Sequence, residues 1–168
     1  YFDFPKYVSV AERVLKAEKK LKKLKKKNPN IEPVIIEGRT IAHTWWGKEW
    51  NKNLERYADF SNRIGRGRSY VRHKGVLDLK IDSGKVEGLV LGSALYEVKI
   101  QISPVKNKHW NDIIKECMDN IENVQQLIAG KFPKSLSDIF TKKGSGLFPS
   151  PKEIQFSCSC PDFAYMCK

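Results

Sequence analysis

Long hydrophobic runs, histidines and cysteines outside one short cluster are all scarce in this sequence. No apolar run approaches the ~20 residues that cross a bilayer, and Tyr1-Phe2-Asp3-Phe4-Pro5 lacks the charged-then-apolar order of a signal peptide. The chain therefore reads as soluble and cytoplasmic, with no membrane partner. Only three histidines occur, and His43, His73 and His109 each sit among residues that need no catalyst to explain them. No Ser/His/Asp or Cys/His nucleophile set suggests itself. A phosphate-cradling G-x-x-x-x-G-K-[ST] loop and an internal repeat are also missing. The first residue is not Met and the last are Cys167-Lys168, so a fragment of a longer chain is expected.

What is present is enough for a core and an excess of positive charge. With 168 residues, 40% hydrophobic and 11% aromatic, the chain suits one domain, or one plus an appendage. The net charge of +12 is localised. Residues 1–30 carry +7 and residues 61–75 carry +5, leaving the remainder neutral. Such concentration is what a polyanion-binding surface needs and what a merely soluble surface does not.

The first basic segment predicts a helix from about Val8 to Lys27. Val10, Val14, Ala17, Leu21 and Leu24 recur at spacings of 4, 3, 4 and 3, a heptad seam. Lysines from Lys19 to Lys27 fill the other faces, and Asn28-Pro29 is the stop. A solvated face, phosphate binding and pairing with a partner helix all remain open for it. The second segment holds Arg63, Arg66, Arg68, Arg72 and Lys74 without one carboxylate from Ser61 to Gly75. Gly65 and Gly67 suggest a basic loop running into a strand, with arginines forking onto phosphate oxygens and Tyr70 available to stack. The alternative is a surface loop with incidental arginines.

Between and after these segments the pattern is mixed. Residues 33–38 read as a short strand, and Trp46-Gly47-Lys48 opens a helix to about Tyr57. Its Trp46, Trp50, Leu54 and Tyr57 form either a stacking platform or core. Three alternating segments separated by Ser83-Gly84 and Gly92-Ser93 predict an antiparallel meander. A long helix is expected from about Lys108 to Gly130, with Trp110, Ile113, Ile114, Cys117, Ile121, Val124 and Ile128 on its buried face and Gly130 as C-cap. Residues 135–140 add a short helix, and the Gly/Ser/Pro-rich stretch that follows reads as a linker or exposed loop. Asp82 with Glu97 and Lys99 has the spacing class of metal-dependent nucleases. Alternation with Tyr96, Val98, Ile100 and Ile102 explains Glu97 and Lys99 as a solvated sheet face instead.

Three of the four cysteines, Cys158, Cys160 and Cys167, lie in the last eleven residues. In an intracellular chain clustered cysteine favours metal over disulfide. Residues 153–157 alternate like a strand; if it continues, Cys158 and Cys160 share a side. Two thiolates plus a third after a Pro-containing loop supply three of the four corners of a tetrahedral zinc site. The other reading is a terminal strand with fortuitous thiols.

The ending C-S-C-P-D-F-A-Y-M-C-K resembles the start of a SWIM zinc finger, whose pattern is C-x-C, a spacer, then C-x-H. Cys158, Cys160 and Cys167 match the cysteines, and the family's histidine falls after Lys168. The stretch G-R-T-I-A-H-T-W-W-G-K-E-W-N-K-N-L-E-R-Y-A-D, followed by S-N-R-I-G-R-G-R-S-Y-V-R, resembles more loosely the region preceding the finger in bacterial SWIM proteins. The resemblance implies a small zinc module that binds DNA or proteins, found in bacteria alongside Swi/Snf-type helicases, without catalysis.

The expectation is therefore an α+β protein: an antiparallel β-meander packed with helices, followed by a truncated C-terminal zinc-finger segment. A basic helix would occupy 1–30, the α+β domain 31–140, a linker 141–152 and the partial finger 153–168. The expected function is non-enzymatic nucleic-acid binding, DNA more than RNA, with structural Zn²⁺ and a helicase partner. An interaction adaptor using the heptad seam and the finger is the competing class, and a metal-dependent nuclease a remote one.

Overall fold

The computed structural model describes residues 7–119, 121–162, 166 and 167, without the side chains of 58, 59 and 121–123. Ile121, assigned to the buried stripe of the long helix, thus has its side chain outside the described residues. The fold is α+β. Six helices, α1 (Val10–Lys27), α2 (Trp45–Glu55), α3 (Ala58–Arg72), α4 (Asn107–Met118), α5 (Ile121–Ile128) and α6 (Lys134–Phe140), accompany one antiparallel sheet. Its strands are β1 (Val76–Asp82), β2 (Lys85–Leu91), β3 (Leu95–Ile102) and β4 (Ile154–Cys158), in the order β1-β2-β3-β4. Among the described residues no helix is long and apolar enough to cross a membrane.

The meander forms where alternation and turn residues place it. Asp82 pairs with Lys85 across Ser83-Gly84, and Gly84 has φ 67°, the left-handed backbone that glycine adopts without cost. Residues 33–38, read as a strand, form none. They run beside β1 with only isolated bonds, from the Val34 N–H to the Val76 carbonyl and from the Leu79 N–H to the Glu32 carbonyl. Pro33 has no N–H to extend that ladder. Residues 154–158, in contrast, are the fourth strand of the main sheet, with Val98 opposite Cys158 and Ile102 opposite Ile154. The stretch before them, read as a linker, is packed: Gly146 and Pro149 are buried, and buried Asn53 donates its Nδ2 to the Pro149 carbonyl at 3.0 Å.

The segment read as a Gly/Arg loop is α3. Phe60, Ile64 and Val71 recur at spacings of 4 and 7 on its inward face, a helical period. Phe60 and Ile64 are buried against Ile154, with Ile100, Ile102, Phe156 and Met166 packed around them. Gly65 and Gly67 sit inside the helix, neither with positive φ, and a Cβ at either meets nothing within 4 Å. Gly65→Ala and Gly67→Ala should therefore each stabilise the protein by about 0.5–1 kcal/mol. Urea unfolding measures this; destabilisation by both would mean that the segment is not helical.

The long helix expected from about Lys108 to Gly130 is two. Asp119 caps α4 and α5 follows, consistent with Asp competing for backbone bonds in a helix interior. Gly130, at φ 71°, ends α5 as expected, with the Lys131 N–H bonding the Gln126 carbonyl and the Gly130 N–H the Leu127 carbonyl. The expected buried face is only partly buried. Ile113 packs with Leu136 and Ile139, and Cys117 rests against them, its thiol pushed up by burial. Trp110, Ile114, Val124 and Ile128 are exposed.

Candidate metal centre and basic surfaces

Cys158 gets its direction from β4. Ile154 and Phe156 face α3, and alternation puts Cys158 on the same side. The chain stays anchored one residue further: the Ser159 N–H bonds the Glu97 carbonyl at 3.0 Å, and the Glu97 N–H bonds Ser159 Oγ at 2.9 Å. Cys160 follows that anchor. Cys167 is brought back by Met166, whose side chain packs on the Phe60–Ile64–Ile154 cluster and whose backbone has φ 57°. A non-glycine residue held there is strained and needs its surroundings to keep it.

The three thiols consequently converge. The Sγ atoms of Cys158, Cys160 and Cys167 all lie within 4.8 Å of one another, with Cys160 and Cys167 at 3.2 Å. Zinc with ~2.3 Å Zn–S bonds in a tetrahedron separates its sulfurs by about 3.8 Å, so small adjustments would seat an ion. Cys167 is buried, and its thiol is pushed up to about 12, first by that burial and then by hydrogen bonds with Cys160 and Cys158. Such a thiol is a poor nucleophile. A cation that replaces the proton relieves the cost. The cluster can hold a metal ion.

One cation reaches this loop from the helix. Arg63 Nη1 lies 3.4 Å from Asp162 Oδ2, tying α3 to the position two residues past Cys160. Both side chains are partly exposed, so the pair contributes little to stability and mainly sets position.

The other sequence-predicted phosphate contacts are not gathered into one patch. Arg68 pairs with Glu55, Lys74 Nζ bonds Glu18 at 2.7 Å, and Arg72 donates to the Arg39 carbonyl at 3.3 Å. Arg63 and Arg66 lie on one side of α3, Arg68 and Arg72 on another, as spacings of three and four within a 3.6-residue period require. Among the described residues only Arg66 of the five has no such acceptor. The neutralising carboxylates lie 13, 56 and 99 positions away in sequence, so no local signal could have found them.

On α1 the lysines remain solvent-facing. Ser9 caps the helix in a reciprocal box with Glu12, and Lys25, Lys26 and Lys27 fill its last turn, where cations complement the helix dipole. Its heptad seam is partly occupied by the chain itself: Ala17 is buried, Val14, Leu21 and Leu24 are half-buried, and Val10 is exposed. The aromatics of α2 divide as well. Trp46 is exposed, Trp50 meets Phe148 edge-on at 5.2 Å, and Leu54 and Tyr57 join the core.

The nuclease arrangement is not assembled. Asp82 ends β1 opposite Lys85, whereas Glu97 sits on β3 opposite Leu89, two strands away and four positions along. At strand spacings of about 4.8 Å and rises of about 3.3 Å these carboxylates cannot share one ion. Lys99 instead lies beside Glu87, whose carboxyl is held below its usual range chiefly by the Lys85 hydrogen bond.

Comparison with known proteins adds one relative. The uncharacterized protein Rv2102 of Mycobacterium tuberculosis (strain ATCC 25618 / H37Rv) is 36% identical over 131 residues, 76% of this chain and 47% of that protein. The chain thus spans about half the length of the relative it matches. No family model matches the sequence, and no solved structure matches it significantly.

Proposed function

We propose that this chain is a SWIM-type zinc-binding protein that binds nucleic acid, DNA in preference to RNA, without catalysis and in company with a Swi/Snf-type helicase. The convergence of the Cys158, Cys160 and Cys167 thiols at the end of β4 is the observation that carries this reading. Zinc would be structural, held by those three sulfurs, with the fourth ligand being the histidine that the resemblance expects after Lys168. Bound there, it would lock the loop that Asp162 ties to α3. The uncompensated lysines of α1 support an electrostatic contact to phosphates better than the paired arginines of α3 do.

Salt dependence tests the binding half. Affinity for a fluorescent duplex should fall steeply as salt rises, and replacing Lys22, Lys23, Lys26 and Lys27 with Gln should flatten the log–log slope by about 3–4. An unchanged slope would remove α1 as the contact, and no binding at low salt would refute the reading. The adaptor reading keeps less support, since Ala17 at the centre of its seam is already covered.

A further inference from the structure

A cleft of about 470 Å³ opens where α1, the C-terminal half of α3 and the turn between β2 and β3 meet. Arg13 and Lys16 enter it from α1, and Arg66 and His73 from α3 and its cap, while Ser69 and Ser93 add hydroxyls. Among the described residues, none that lines it is acidic. Among the described residues, Arg13, Lys16 and Arg66 have no carboxylate partner, although Arg63, Arg68 and Lys74, at neighbouring positions, each have one. Converging cations without a counterion destabilise the folded state, and an anion in the cleft removes that cost.

We propose that this cleft is a preformed site for a phosphate group. Resting on the nucleic-acid reading, the proposal adds that one strand phosphate is seated at a defined place rather than spread over the lysines of α1. Guanidinium forks from Arg13 and Arg66 would approach it from two elements, with Lys16 as a point charge, while the Ser69 hydroxyl donates to His73 Nδ1 and orients that ring. His73 Nδ1 lies 3.3 Å from Ser69 Oγ, which leaves Nε2 available to the anion. The volume falls within the roughly 300–1,000 Å³ of small-molecule sites, so a free mononucleotide carries the same recognisable chemistry and is the second source to be tested.

Amide NMR titration of the whole chain with inorganic phosphate, then with a nucleoside monophosphate, reads the site directly. Saturable shifts should appear around Arg13, Arg66, Ser69, His73 and Ser93, and the R13Q/R66Q double variant should abolish saturation. K106Q/K108Q, which removes equal charge at the exposed start of α4, should leave saturation intact. R13K/R66K, which keeps the charge, should retain part of it and guards against loss through misfolding. With a short fluorescent oligonucleotide, R13Q/R66Q should weaken binding by about tenfold or more and reduce the salt slope by about 1.4–1.8. Absence of saturable shifts with both small probes, or saturation and oligonucleotide affinity unchanged in R13Q/R66Q, would overturn the cleft and leave the α1 contact standing. Saturation by the mononucleotide in a protein that binds no oligonucleotide would uphold the cleft and refute the nucleic-acid reading.

Discussion

Cys158→Ser and Cys160→Ser are each expected to weaken zinc binding by more than the ~10–100-fold that loss of a ligand's supporting hydrogen bond alone costs metal sites. Serine keeps the volume but not the thiolate, which is the species that binds. The effect should extend beyond metal content. A zinc ion held by the three sulfurs would cross-link the end of β4 to Cys167, and its binding free energy would become folding free energy. Unfolding followed with and without a chelator should show zinc stabilising the wild type and leaving both variants unchanged. The zinc dependence should weaken as pH falls, because each ligand must lose a proton to bind and Cys167 holds its proton tightly. Equal stabilisation of wild type and variants by zinc would place the metal elsewhere.

Phe60→Ala should destabilise the protein by about 3–5 kcal/mol, a large share of the about 5–15 kcal/mol that holds a domain together. Phe60 is 1% exposed and joins α3 to the sheet. Its ring meets Phe156 at 5.6 Å and Tyr57 at 6.3 Å, both edge-on. Truncation opens a cavity where α2, α3, β3 and β4 meet, and little can collapse into it from a sheet pinned by hydrogen bonds. Because Met166 rests on the same cluster, zinc affinity should fall with stability, although Phe60 is no ligand. Phe60→Leu, which keeps more of the volume, should cost less on both counts. Urea unfolding and metal titration on the same samples check this; a loss below about 1 kcal/mol would mean that α3 does not pack on the sheet.

Legibility in the sequence followed how local each signal was. The meander was readable because Ser83-Gly84 and Gly92-Ser93 punctuate clean alternation, and the metal candidates because Cys158, Cys160 and Cys167 crowd one short segment. The helix α3 was hidden. Gly65 and Gly67 signal a loop, and they outweighed the helical spacing of Phe60, Ile64 and Val71. Tertiary packing against Ile154 overrides the propensity. Residues 33–38 had a strand's composition but lacked the donor at Pro33. The site's electrostatics was least legible. Arg68 with Glu55, Lys74 with Glu18 and Arg63 with Asp162 become pairs only when the chain folds, and the unpaired Arg66 is brought near Arg13 by the same folding. Charge counted along the sequence therefore pointed to both α1 and α3, whereas among the described residues folding pairs Arg63, Arg68 and Lys74 and leaves Arg66, with Arg13 and Lys16 of α1, without a carboxylate partner.

Metal content is the most direct test. Protein that continues past Lys168 through the expected histidine, purified without chelator and under reducing conditions, should carry about one zinc per chain, replaceable by cobalt with the intense absorption of thiolate ligation, and Cys158→Ser should carry none. Metal-free protein that fails to take up zinc, or zinc retained at equal stoichiometry in Cys158→Ser, would contradict the account.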